Sequence, residues 1–180
     1  TVKGDLAVAL SQTQAKEIVG IDISEGMLDI GKKKLKKSRW GKNIKMEIGD
    51  SENIGYPANY FDAVTVAFGV RNFENLDKGL LEILRVLRPG GDLVILEPAV
   101  PREFPLRQFY RLYTHFVMPV VGWFFSKDKS AYQYLSDSAN AFPFGEAFNN
   151  ILAKNGFIDV EDIPQTLGVA SIYRAQKPTS

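Results

Sequence analysis

The sequence contains no cysteine and a single histidine, His115. Without cysteine the chain has no disulfide framework, no thiolate nucleophile and no cysteine-ligated zinc site. One histidine excludes a metal site with several histidine ligands and argues against a Ser-His-Asp triad. The lack of cysteine also fits a reducing compartment such as the cytoplasm.

Long apolar runs and an excess of one charge are also missing. The most apolar run, residues 116–125, is about half of the roughly 20 residues that a membrane-spanning helix needs. The 22 basic and 21 acidic residues give a net charge of +1, which predicts no binding of nucleic acid. The 180 residues, 45% of them hydrophobic, are enough for the core of one domain.

Strand-like and helix-like segments alternate along the chain. Strands are predicted at 18–22, 44–48, 62–68, 92–97, 157–163 and 169–175. Helices are predicted at about 25–37, capped by Ser24, and at 76–87, ended by the sequence RPGG at 88–91. An aromatic-rich, mainly helical stretch covers 104–155. This order predicts an α/β fold with a mostly parallel sheet, helices on both faces and a helical insertion before the last two strands.

Acidic residues follow the first two predicted strands, where parallel sheets bind ligands. Asp22 ends the first strand, and its two acceptor oxygens suit the paired hydroxyls of a ribose. Asp50, next to Ser51, follows the second strand and suits an adenine amino group. Each acid also has an alternative role without a ligand. Asp22 would be an acid that stabilises the N-terminus of the following helix, and Asp50 would be an ordinary loop residue.

Three segments carry a resemblance to a known family. They are FGVRN at 68–72, RVLRPGG at 85–91 and SAYQYLSDS at 130–138. With them the sequence resembles the class I methyltransferases that use S-adenosylmethionine (SAM) and, more narrowly, the ubiquinone/menaquinone C-methyltransferase family. The resemblance runs along nearly the whole chain. It implies transfer of a methyl group from SAM to a ring carbon of a prenylated quinol, either demethylmenaquinol or a ubiquinone precursor.

The resemblance implies a role for each residue at the strand ends. Asp22 is expected to bind the ribose of SAM, and Asp50 and Ser51 the adenine. Ala67 is expected to line the cofactor pocket, and Gly4 to belong to the glycine-rich cofactor loop.

That glycine-rich loop departs from the family pattern. Only Gly4-Asp5-Leu6 matches cleanly, and Lys3 stands where the family has a small hydroxyl residue. A lysine there adds bulk and a positive charge near the sulfonium of SAM. We expect that the strand and most of the loop that precede Gly4 in the family are missing from the sequence, leaving the neighbouring strands unpaired. The alternative is a chain that binds SAM poorly.

Methylation of a ring carbon requires an aligned nucleophile and a ring hydroxyl that loses its proton. Arg71 is predicted to stabilise the phenolate or to act through a water, because its pKa is too high for a simple base. Asn72 is predicted to orient the ring oxygen or that water. His115 is the candidate base with an unperturbed pKa near neutral. The alternatives are a structural salt bridge for Arg71 and a packed or surface position for His115.

The implied substrate also suggests partners. The aromatic segment 104–125 is interpreted as a lid over an apolar substrate that contacts the inner face of the membrane, or as a helix packed on the sheet. A prenylated quinol is the expected ligand, and a homodimer is left open. Two other functions stay open. One is a NAD-dependent oxidoreductase, which also places an acid after a strand. The other is a non-enzymatic, methyltransferase-like scaffold that binds a quinone or a partner protein.

Overall fold

The computed structural model describes residues 5–13, 15–37, 43–101, 103–112 and 142–179. The described helices are α1 (Asp5–Leu10), α2 (Glu25–Lys37), α3 (Leu76–Val86), α4 (Leu106–Leu112) and α5 (Glu146–Lys154). The described strands are β1 (Ile18–Asp22), β2 (Ile44–Ile48), β3 (Phe61–Ala67), β4 (Leu87–Pro98), β5 (Ile158–Gln165) and β6 (Ala170–Gln176). Short 3-10 turns cover Val70–Asn72 and Thr166–Gly168.

The described strands form two sheets. β1 and β2 pair in parallel, and the other four strands follow the order β3-β4-β6-β5. β3 is parallel to β4, whereas β6 is antiparallel to both of its neighbours. Among the described residues no strand lies between β1 and β3.

The predicted strands and the helices at 25–37 and 76–87 are confirmed to within a few residues, except at 88–91. The sequence predicted a loop there, between a helix ending at Leu87 and a strand beginning at Asp92. Instead, β4 already begins at Leu87, and its register with β3 shifts across 88–91. Gly90 has a φ of 75°, which a residue without a side chain adopts easily. The segment is therefore a bulge inside β4.

The larger hydrophobic core lies on the four-stranded sheet. Its fully buried side chains come from α3, β4, α5 and β6 and include Leu80, Ile95, Phe148 and Tyr173. The Phe148 and Tyr173 rings meet edge to face with centroids 4.7 Å apart. The Tyr173 hydroxyl accepts a hydrogen bond from Gly145 N at 2.8 Å, so its polar end is satisfied inside the core. This packing fixes β4, whose carboxyl end carries part of the candidate site.

A smaller core joins α2 to β2, and the loop before β3 connects it to the larger sheet. The buried side chains of this small core are Leu28, Leu35 and Met46. The Tyr56 hydroxyl donates a hydrogen bond to Glu47 Oε2 at 2.8 Å, from the loop to β2. Burial raises the pKa of Tyr56 to about 12, so the hydroxyl stays a donor at neutral pH. This bond helps to hold the two sheets together.

The predicted helical stretch at 104–155 is described only at its two ends, as α4 and α5. Residues 113–141, with most of the predicted lid, lie outside the described residues. In the parts of the chain that are described, no helix has the length and apolar character needed to cross a membrane.

Candidate active site

Asp22 is held at the turn between β1 and α2. Its Oδ1 accepts a hydrogen bond from Ser24 N at 2.9 Å, and its carbonyl oxygen accepts one from Gly49 N at 3.2 Å. Ser24 caps α2, because its Oγ accepts from Met27 N at 3.4 Å. The contact with Ser24 is the one expected of an acid at a helix N-terminus. The hydrogen bond from Gly49 N holds the Asp22 backbone beside the end of β2.

The loop after β2 is fastened to the beginning of α3. Asp50 is exposed, and its Oδ1 accepts from Glu52 N at 2.8 Å. Ser51, between them, is half-buried. The buried Glu52 accepts from Asn75 N at 2.9 Å through Oε1, and Asn75 is the N-cap of α3. This bond ties the end of β2 to the segment that follows β3.

Two exposed isoleucines lie close to the two acids in sequence: Ile23 follows Asp22, and Ile48 lies two residues before Asp50. Ile23 is 78% exposed and Ile48 is 63% exposed, which is unusual for such large apolar side chains. They offer apolar surface, and Asp22 and Asp50 offer acceptor oxygens. An adenosine combines an apolar base with ribose hydroxyls and an amino group, so these residues fit the adenosine part of SAM.

The end of β3 adopts a strained turn. Ala67 is half-buried and pairs with Leu96 of β4, as its predicted place at a strand end requires. Phe68 follows with a φ of 52°, in the left-handed region that bulky residues avoid. Such a conformation costs on the order of 1–3 kcal/mol and persists only where other contacts hold it. One of these contacts is the hydrogen bond from Phe68 N to Leu96 O at 2.8 Å.

Arg71 lies in the 3-10 turn after Phe68, with its side chain only 9% exposed. Its Nη1 donates to Glu97 Oε2 at 2.9 Å, and its guanidinium carbon lies 5.9 Å from the centre of the Phe68 ring. The salt bridge that the sequence left open as the alternative for Arg71 is therefore present. The same bridge places the guanidinium at the joined ends of β3 and β4, where the predicted role requires it.

Glu97 ends a predicted strand, but the sequence assigned no role to it. It is fully buried, and its Oε1 accepts a hydrogen bond from Val70 N at 2.7 Å. Burial raises the pKa of Glu97, in spite of the nearby arginine. A signal was available, because Glu97 follows Leu93 and Ile95 at every second position on the buried side of β4. A carboxylate on that side needs a buried partner.

The structure gathers the predicted residues at two pairs of strand ends. The β1–β2 group contains Asp22, Asp50 and Ser51, and the β3–β4 group contains Ala67, Arg71 and Asn72. The Asn72 side chain is exposed, and its Nδ2 lies 3.4 Å from Phe68 O. Gly4 and His115 lie outside the described residues. The first group offers carboxylate oxygens that accept hydrogen bonds, which suits a nucleoside. The second group offers a buried cation, which suits a substrate that becomes negatively charged next to that nucleoside.

Comparison with known proteins identifies the family. The model of the ubiE/COQ5 methyltransferase family matches residues 1–177. The chain belongs to this family. A demethylmenaquinone methyltransferase from Bacteroides fragilis is 44% identical over 178 residues, which make up 98% of this chain and 73% of that protein. The UbiE C-methyltransferase of ubiquinone/menaquinone biosynthesis from Geobacter sulfurreducens is 42% identical over 179 residues, or 98% of this chain and 70% of that one.

Solved structures agree with the fold of this ubiE/COQ5 family member. A SAM-dependent methyltransferase from Aquifex aeolicus matches 98% of this chain and 78% of its own, with a TM-score of 0.67 and 18% identity. The cyclase SpnF matches 99% of this chain and 72% of its own, with a TM-score of 0.69 and 19% identity. The fold is therefore that of the class I SAM-dependent methyltransferases. Because a cyclase and a methyltransferase share it, the fold alone does not decide the reaction.

Proposed function

We propose that this chain transfers a methyl group from SAM to a ring carbon of demethylmenaquinol, in the biosynthesis of menaquinone. The observation that carries the proposal is the 44% identity with a demethylmenaquinone methyltransferase over 98% of the chain. The relatives named for both ubiquinone and menaquinone make a ubiquinone precursor a second acceptor to test. Membership of a methyltransferase family favours this function over a NAD-dependent oxidoreductase.

Asp22 would hold the ribose of SAM. Its carboxylate is fixed by Ser24 N, so little freedom is lost when a ligand hydroxyl binds. Asp50 and Ser51 would contact the adenine, at the end of the strand that pairs with β1. When bound, SAM supplies an electrophilic methyl group carried on a sulfonium.

Arg71 would favour ionisation of the ring hydroxyl next to the reacting carbon. Its guanidinium carries a permanent positive charge, and burial strengthens its interaction with a developing phenolate. Asn72, exposed at the end of the same turn, would orient the ring oxygen or the water that takes its proton. Alignment of the ring carbon with the methyl group supplies much of the remaining rate enhancement.

The direct test incubates the full chain with methyl-labelled SAM and reduced demethylmenaquinone. We expect labelled menaquinol, detected by mass spectrometry, and no product when the acceptor is already methylated. Titrations with SAM and with NAD, followed by calorimetry, accompany the assay. A folded chain that forms no product would support the scaffold interpretation, and tight NAD binding without SAM binding would support the oxidoreductase.

The first prediction concerns Asp22. Asp22→Ala removes a charge-assisted hydrogen bond to the ribose and is expected to weaken SAM binding by about 1–3 kcal/mol, or roughly 5–150-fold. Calorimetry measures the dissociation constant directly. Asp29→Ala is the matched control, because Asp29 is an exposed carboxylate on α2. Equal affinity of the two variants for SAM would remove Asp22 from the site.

We also propose that the chain contacts the membrane surface and forms a homodimer. The prenyl chain of the acceptor partitions into lipid, so we expect the chain to sediment with vesicles that contain demethylmenaquinol. Analytical ultracentrifugation measures the oligomeric state in the same samples.

A further inference from the structure

The Glu97 carboxylate is buried in an apolar environment. Glu97 is 0% exposed, like Leu93 and Ile95 on the same side of β4. Placing a carboxylate there is costly unless donors surround it. The position lies at the carboxyl end of β4, opposite Ser171 of β6, which is the edge of the sheet where ligands bind.

Three N–H donors point at this carboxylate, and all come from the turn that carries Arg71. Val70 N donates to Oε1 at 2.7 Å, and Arg71 N lies 3.4 Å from the same oxygen. Arg71 Nη1 donates to Oε2 at 2.9 Å. The N-cap position of this turn is Gly69, which has no side chain to cap it. Glu97 therefore accepts hydrogen bonds from the N–H groups at the start of this turn, which a side chain at the N-cap position does in other turns.

The arginine is held but not fully satisfied. Its guanidinium lies between the Glu97 carboxylate and the Phe68 ring, with the side chain 9% exposed. Its Nε has no hydrogen-bond partner among the described residues, although it is buried. A buried donor without a partner costs stability, and an acceptor oxygen of a ligand would remove that cost.

Stability alone does not explain this arrangement. An apolar pair of similar volume is often as stable as a buried ion pair or more so. The turn also keeps Phe68 in a strained conformation, which Glu97 helps to hold through its hydrogen bond with Val70, two residues after Phe68. Strain and an unsatisfied donor together, at the ligand-binding edge of a sheet, are typical of a prearranged site.

We propose that Glu97 is a positioning residue for methyl transfer: it caps the 68–72 turn and fixes the guanidinium of Arg71, and it acts on the quinol only through Arg71 and Asn72. This proposal rests on the proposed function. In this role Glu97 touches neither SAM nor the quinol, and yet it determines the rate of methyl transfer.

The test compares Glu97→Gln with a matched control, Glu82→Gln. Glu82 also binds an arginine, Arg85, and accepts from a loop N–H, Ile54 N at 3.0 Å. Glutamine at 97 keeps the shape, but its amide NH₂ would face the N–H groups of either the guanidinium or the turn. We expect kcat of Glu97→Gln to fall roughly tenfold or more, with the dissociation constant of SAM within about twofold of wild type. Glu82→Gln should lower the melting temperature and leave kcat unchanged.

Amide hydrogen exchange supplies a readout that does not need turnover. In Glu97→Gln the amides of Val70 and Arg71 should exchange roughly tenfold faster, while amides in the core of β4 keep their protection. If the variant fails to fold, Glu97→Asp retains the charge and shortens the reach, and the same measurements apply.

Two results would overturn the proposal. One is a kcat for the Glu97 variants within about twofold of the Glu82 control. The other is a parallel loss of kcat, SAM affinity and protection throughout the sheet, which would mean that Glu97 is only structural. A wild-type chain that binds SAM but forms no methylated quinol would refute the proposed function, and with it this role. That failure is distinguishable because it appears without any mutation.

Discussion

Two glutamate–arginine pairs hold loops against the same four-stranded sheet, and they differ in what they leave unsatisfied. Glu82 and Arg85, on α3, are joined by two hydrogen bonds of 2.8 Å. Arg85 also donates to the carbonyl oxygens of Tyr56 and Ile54, each at 2.8 Å. Every nitrogen of this guanidinium therefore has a partner, and the pair fastens the loop before β3.

The second pair, Glu97 and Arg71, is more deeply buried and less complete. Its side chains are 0% and 9% exposed, against 21% and 36% for Glu82 and Arg85. Arg71 Nε has no partner among the described residues. The same two residue types therefore have different roles in the two places. A satisfied pair at a half-buried helix stabilises a loop, whereas a buried pair with a spare donor at a strand end prepares a site.

The largest expected difference between the pairs lies in the loss of the arginine. Arg71→Ala leaves Glu97 buried without its cation, which should cost about 3–5 kcal/mol of unfolding free energy. We expect it to lower kcat by roughly 100-fold or more, beyond any change in SAM affinity. Urea denaturation and the methylation assay measure the two effects.

Arg85→Ala is the matched control for this experiment. It should lower stability by roughly 1–3 kcal/mol, because several hydrogen bonds are lost, and leave kcat of the folded fraction within about twofold of wild type. An equal loss of kcat in both variants would show that the two pairs have the same role, and would contradict a special role of Arg71 and Glu97 in catalysis. Arg71→Lys tests whether charge alone suffices.

The next largest effect is the coupling within each pair. Double-mutant cycles with glutamate to glutamine and arginine to methionine should give about 2–3 kcal/mol for Arg71–Glu97. The more exposed pair, Arg85–Glu82, should give roughly 0.3–1 kcal/mol, because water screens it. Coupling energies that are equal, or in the reverse order, would contradict the difference in burial.

The smallest expected effect is an opposite dependence of stability on pH. Burial raises the pKa of Glu97, so its favourable contribution is present at low pH and is lost as pH rises from its usual value near 4.5 through the folded pKa. The hydrogen bond from Arg85 lowers the pKa of Glu82, so its contribution is present above 4.5 and is lost as pH falls.

Denaturation over about pH 3 to 8 checks both signs. Relative to Glu97→Gln, wild type should lose stability as pH rises, and relative to Glu82→Gln it should lose stability as pH falls. The same slope for both glutamines would mean that burial does not dominate at Glu97.

Local sequence patterns predicted most of the fold. β1 and β2 have the bounds that alternation and apolar runs gave, and Ser24 begins α2 as its capping chemistry requires. The prediction was wrong at 88–91, because a bulge and a loop contain the same glycine and proline residues. A bulge differs from a loop here because its strand pairs with β3, and a local sequence pattern does not predict that pairing.

The candidate site was predicted in part. Asp22 and Ala67 end strands and Asp50 follows one, and strand ends are visible in the sequence. The roles of these residues in binding SAM stay predictions. No role was assigned to Glu97, because its partner Arg71 lies 26 positions away in the sequence. The alternation of buried residues in β4 indicates that Glu97 is unusual, but it does not predict which residue Glu97 pairs with.

The sequence by itself therefore determined the order of the elements, the class of fold and the strand ends at which we expect SAM to bind. These follow from periodicity, capping and residue chemistry over a few neighbouring positions. Only the tertiary structure decided that Arg71 is buried against Glu97, that Glu97 caps the turn in place of Gly69, and that Glu52 ties the loop after β2 to α3. The reason is that buried charges acquire their partners from the packing of distant strands, which short-range patterns do not specify.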